Sequence, residues 1–90
     1  MSGSWTWEYY PDQRHVTDGL PSGVVAEVER LVAQLVELAD TGVDVTDLGS
    51  GPRTGGLRHL DAAGGFFYFL VAPRQRLVIV VRIVPPGDSL

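Results

Sequence analysis

The run from Gly65 to Val84 leaves this chain few folds to choose from. It reads FFYFLVA, then PRQR, then LVIVVRIV. Aromatic and β-branched residues at this density, split by a short proline-containing basic connection, predict a β-hairpin at the centre of a small sheet. In the last strand alternation sends Leu77, Ile79, Val81 and Ile83 to one face and Val78, Val80, Arg82 and Val84 to the other. With the first set packed on a helix, Arg82 stands on a second, largely apolar face. An isolated buried guanidinium is very costly. Arg82 therefore marks a ligand or partner site, snorkels to water past the edge, or pairs with Asp61 or Glu8.

The helix such a hairpin needs is plain upstream. Val24, Val28, Leu31, Leu35 and Leu38 fall on one stripe, widened by Val25, Val32, Val36 and Ala39. Glu27, Arg30, Gln34 and Glu37 take the opposite side, with Glu27 and Arg30 spaced for a weak surface pair. Pro21 suits a first helical turn, Ser22 is the cap if the helix starts one residue later, and Thr41-Gly42 ends it. Ahead of the helix, Trp5, Trp7 and Tyr9 alternate with Thr6, Glu8 and Tyr10, a period of two that predicts a strand with one aromatic face, closed by Pro11. Pro11 to Gly19 reads as a polar connection, Val43 to Leu48 as a helical turn capping the core, Leu57 to Asp61 as a strand and Ala63 to Gly65 as a turn. The order is strand, helix, glycine-rich loop and a three-stranded meander. The fold class is α+β: a small four-stranded, mostly antiparallel sheet covered by one long N-terminal helix.

Ninety residues form a single domain, residues 1–90, of which Met1 to Ser4 read as a disordered start or a cloning remnant. The chain has no cysteine, which excludes disulfides, thiolate metal sites and a cysteine nucleophile. No apolar run approaches the roughly 20 residues of a membrane helix, and no leader opens the chain, so a cytoplasmic protein is expected. Lysine and asparagine are absent and isoleucine occurs only at positions 79 and 83, the pattern a GC-rich bacterial genome leaves. The net charge of −4 disfavours broad phosphate binding, because an acidic surface repels a polyanion.

Four side chains remain as candidates for chemistry. Gly49 to Gly56 is glycine-rich but has neither the P-loop lysine nor a GxGxxG before a helix, so it reads as a flexible connection with Arg53 at its tip. Arg58 and His59 are adjacent in a strand and point to opposite faces. An imidazole acts as acid or base when a partner positions it, and Asp61 shares the face of His59 two residues on. Arg74 and Arg76 solubilise the turn, and Trp5, Trp7, Tyr9, Tyr10 and Tyr68 either fill the core or stack bases. Two histidines and scattered aspartates lack metal-ligand spacing, no Ser-His-Asp arrangement is evident, and no cofactor is expected.

WTWEYYP as first strand, LPSGVVAEVERLVAQLVELA as helix and GGLRHLDAAGGFFYFLVAPRQRLVIVVRIV as closing meander resemble, in order and spacing, the RelE/ParE toxin superfamily. The resemblance implies a helical layer on a curved antiparallel sheet. It also implies a ribosome-dependent mRNA endonuclease or a gyrase poison, neutralised by a cognate antitoxin. Nucleases of that family carry an arginine where this chain has Asp61, a basic residue in the strand that here reads Gly65 to Tyr68, and a basic or aromatic group where Pro85 to Asp88 stand. Arg58 and Arg82 are the stand-ins at shifted positions. Two expectations follow: a divergent toxin acting on RNA or a protein target, with Arg58, His59 and Arg82 catalytic and Arg53 adding binding charge, or a non-catalytic interaction module of the same fold that binds a partner or itself as a homodimer.

Overall fold

The structure is a computed structural model, and it describes residues 4–53 and 55–87. The expectation of a disordered start falls on residues 1–3, outside the described residues, except for Ser4, which is exposed and outside any strand or helix. In chain order the elements are β1 (Thr6–Tyr9), α1 (Gln13–Thr17), α2 (Ser22–Asp40), a 3-10 turn (Val45–Asp47), β2 (Arg58–Ala62), β3 (Gly65–Ala72) and β4 (Leu77–Val84). One four-stranded sheet has the order β1-β4-β3-β2. The two meander pairings are antiparallel, whereas β1 pairs with β4 in parallel, Thr6 opposite Leu77 and Tyr9 opposite Val80. The sheet is therefore mixed, not mostly antiparallel. The cause is the crossover: the chain leaves β1, passes through α2 over one face and returns, and such a connection accommodates parallel pairing.

Five valines among the 19 residues of α2 are weak helix formers, so burial of the apolar face stabilises this helix more than propensity does. Val24, Val28, Val32, Leu35 and Ala39 are buried, packed with Phe67, Phe69, Val71, Val78, Val80 and Ile83. The buried stripe is rotated from the predicted one: Val32 is enclosed, Leu31 half-buried and Leu38 is exposed. At its C-terminus Gly42, at φ 97, lets its own N–H reach Ala39 O and the Val43 N–H reach Leu38 O, closing the helix with a Schellman motif. Pro21 occupies the N-cap without a side-chain bond. The expected polar connection after β1 contains a helical turn instead. Asp12 caps α1 by accepting from the His15 N–H at 2.9 Å, that bond holds its carboxyl below the usual range, and Val16 is buried.

Trp5, Trp7 and Tyr9 pack on the core from β1, as the alternation predicts. Two polar links tie β1 and the residue just before it to α2. The Trp5 N–H donates to Asp40 Oδ1 at 3.0 Å and the Tyr9 hydroxyl donates to Glu29 Oε2 at 2.8 Å. Burial, and then the bond to Glu29 and its charge, push the Tyr9 phenol well above its ordinary value of 10.0. A raised folded pKa gives stability that is complete below the unfolded value and is lost as pH climbs past it. The chain has no lysine or cysteine, so the raised Tyr9 phenol carries the alkaline limb. Melting temperature is expected to fall from about pH 10 upward, and to fall less steeply in Tyr9→Phe. Equal slopes in thermal melts between pH 8 and 11.5 would contradict this.

One irregularity decides which residues face outward. Tyr68 pairs with Arg82 but Phe69 pairs with Val80, so Val81 is an extra residue, a β-bulge. Before it Val78 and Val80 face α2, and after it Ile83 does. The expected inward set of Leu77, Ile79, Val81 and Ile83 is corrected accordingly, since the bulge switches the alternation partway along β4. Arg82 still lies on the face away from the helix, beside Tyr68.

Candidate functional site

α1 and α2 cover one face of the sheet; the other face is open. Cross-strand partners share a face, so the register assigns that face directly. Thr6 and Glu8 come from β1, Leu77, Ile79, Arg82 and Val84 from β4, Phe66, Tyr68, Leu70 and Ala72 from β3, and His59 and Asp61 from β2. Its aliphatic half lies toward the β3–β4 turn. Its other half carries the aromatic groups with His59, Asp61 and Arg82, while Glu8 lies beside Ile79 at the edge of the aliphatic half.

That second half is organised in two rows. In the first, His59 pairs with Tyr68 and Tyr68 with Arg82. Ser50 extends the row, because its N–H donates to His59 O at 2.9 Å and its carbonyl accepts the His59 N–H at 2.8 Å. In the second row Asp61 pairs with Phe66 and Phe66 with Val84. The His59 ring lies 5.6 Å from Phe66 and 5.8 Å from Tyr68, and those two rings are 5.4 Å apart, edge to face. Beyond the second row opens a groove of about 570 Å³ lined by Asp61, Phe66, Val84, Pro85 and Pro86 with the neighbouring glycines. Ser50, His59, Tyr68 and Arg82 together present a hydroxyl, an imidazole, a stacking ring and a cation. That set can bind a phosphate or carboxylate beside a planar ring and move a proton at it.

The four candidate residues do not assemble as one site. His59 and Arg82 share the row through Tyr68. Arg82 is exposed, and among the described residues it forms no pair with Asp61 or Glu8. Asp61 shares the open face with His59 but makes no hydrogen bond to it. Arg58 turns to the other face, where it pairs with Phe69 and is only 7 % exposed. Its Nε donates to Leu48 O at 3.0 Å, and its Nη2 to Gly49 O at 2.9 Å and Asp47 O at 3.3 Å. The guanidinium is consumed in holding the chain between the 3-10 turn and β2.

The same bonds recast the glycine-rich loop. It is docked on the edge of β2 rather than left as a loose connection. A Cβ at Gly49 would sit 2.5 Å from His59 O, and one at Gly51 would strike Leu57 O. These glycines serve close backbone approach, not phosphate binding. Arg53 is exposed on the loop, its side chain lying back along Gly56. It is not part of the row.

No protein family, curated protein or solved structure matches the chain. Sequence reasoning missed Ser50 and Phe66 as members of the site. No local signal marks Ser50, because its place beside His59 comes from a bridge nine residues away in sequence. Phe66 was legible as the residue opposite in parity to buried Phe67. Among the described residues no group of three His, Asp or Glu could hold a metal ion, and no helix is long and apolar enough to cross a membrane.

Proposed function

We propose that this chain is a divergent RelE/ParE-like toxin of a toxin–antitoxin pair, acting on RNA through the open face of its sheet. The observation that carries the reading is the row Ser50–His59–Tyr68–Arg82, one residue from each of four neighbouring segments. Cleaving RNA at a 2′-hydroxyl needs a base at that hydroxyl and a cation at the phosphate, with the flanking base held in place. His59 is the base, Arg82 the cation, and Tyr68 with Phe66 the stacking platform. Arg58 has no part in it. Ser50 offers a hydroxyl at the edge of the phosphate position.

Induced expression in a bacterial host tests this. Growth arrest with cleavage of ribosome-bound mRNA is expected. His59→Ala should lower cleavage about 10²–10⁴-fold and Arg82→Ala about 10²–10³-fold, both proteins remaining folded. A harmless wild-type protein that leaves mRNA intact would end the RNA reading; arrest with intact mRNA would move the target to a protein such as gyrase. A second reading, a non-catalytic interaction module, is favoured by the aliphatic half of the same face, Leu70, Leu77 and Ile79, and by the net charge of −4.

A further inference from the structure

Antiparallel sheets with one wet face alternate apolar and polar residues along each strand, whereas strands buried on both sides read as continuous apolar runs. β3 and β4 are of the second kind. Away from the helices they carry Phe66, Tyr68, Leu70 and Ala72, and Leu77, Ile79 and Val84, with Arg82 the charge among them. The chain covers one face of this pair with its own helices and leaves the other uncovered.

We infer that a second copy of this chain covers the open face, in a two-fold dimer that packs sheet on sheet. The register is the reason for choosing a copy. Each inner cross-strand pair joins unlike members: Leu77 with Ala72, Ile79 with Leu70, Arg82 with Tyr68 and Val84 with Phe66. A two-fold axis lying in the interface, along the strands between β3 and β4, sets β4 of one copy over β3 of the other and exchanges the members of every pair. Leu77 then meets Ala72 of the second copy, a large side chain over a small one. Arg82 meets the ring of Tyr68, a cation over an aromatic face, and this contact occurs twice. No charge is left facing an apolar surface at the centre, while Glu8 and Asp61 stay on the outer strands β1 and β2, at the rim.

The size of the face sets the strength. Eight residues each in β3 and β4, four in β1 and five in β2, at about 3.3 Å per residue and about 4.8 Å between strands, make a face of roughly 400 Å², so two faces bury on the order of 800 Å², the size of a weak, transient interface. A dimer held by so small a face is weak and reversible. It also covers His59, Tyr68 and Arg82, so it holds the proposed RNA site closed at high protein concentration. This inference goes beyond the toxin reading and does not depend on it.

Sedimentation equilibrium from 1 to 300 µM is the test. The apparent mass of the wild-type protein is expected to rise with concentration from the 9.8 kDa monomer towards twice that value. Ile79→Glu and Leu70→Glu, each burying an unpaired charge, should weaken association at least about tenfold; Arg82→Ala should weaken it less. Far-UV circular dichroism establishes that each variant is folded, and if neither is, the wild-type mass decides alone. A wild-type protein that stays at 9.8 kDa throughout overturns the inference. So does a dimer that survives both folded glutamate variants, since it would use another surface.

Discussion

Arg58→Met is expected to be among the most damaging single substitutions in the chain. The side chain is nearly enclosed, and its guanidinium supplies donors to three backbone carbonyls, those of Asp47, Leu48 and Gly49. A hydrogen bond to a charged group contributes about 1.5–3 kcal/mol. Methionine fills similar space but leaves all three oxygens without that donor, so a loss of about 3–5 kcal/mol follows. A 90-residue domain has a total stability of only about 5–13 kcal/mol. The loss corresponds to a fall in melting temperature of roughly 12–40 °C. Arg58→Lys should be intermediate, since an ammonium reaches fewer carbonyls and lacks the planar fork. A folded Arg58→Met protein melting within about 5 °C of wild type would show that the carbonyls find other partners. If that protein had also lost activity, Arg58 would return as a candidate for the site.

Phe67→Ala set against Phe66→Ala is the second large effect, and the contrast tests the assignment of faces. Phe67 is fully buried in the middle of the core, while its neighbour Phe66 lies half-exposed on the open face. Removing a buried phenylalanine leaves a cavity and costs about 3–5 kcal/mol. Phe66→Ala loses edge contacts with Tyr68 and His59 and should cost about 1 kcal/mol. Urea midpoints would then differ by at least about 1 M between the two variants. Equal midpoints would mean that the open face is as closely packed as the covered one.

These two substitutions bracket what could be read ahead of the structure. The period of two in β1 and of 3.6 in α2, and the dense apolar runs of the hairpin, come from local sequence, so element types, the aromatic inner face of β1 and the helix stop at Gly42 are legible directly. The proposed site was half legible. His59 and Arg82 stand out as isolated polar groups, and the parity rule put Arg58 and His59 on opposite faces. It could not say which of the two faced the helix. That depends on the pairing of Arg58 with Phe69, a contact between strands.

From the sequence alone come the α+β class, the one long helix, the central hairpin and the absence of thiol chemistry, because composition and short-range periodicity determine them. Three matters were left to the tertiary structure. The parallel pairing of β1 with β4 joins segments some 70 residues apart and makes the sheet mixed. The bulge at Val81 switches the alternation of β4, so that Val78 and Val80 face inward before it and Ile83, as expected, after it, because whether an extra residue is accommodated depends on the partner strand. The docking of Ser50 on His59 turns a glycine-rich loop into the rim of a candidate site. Each is a pairing between segments, settled by burial and hydrogen bonding across strands, and no pattern within one segment encodes it.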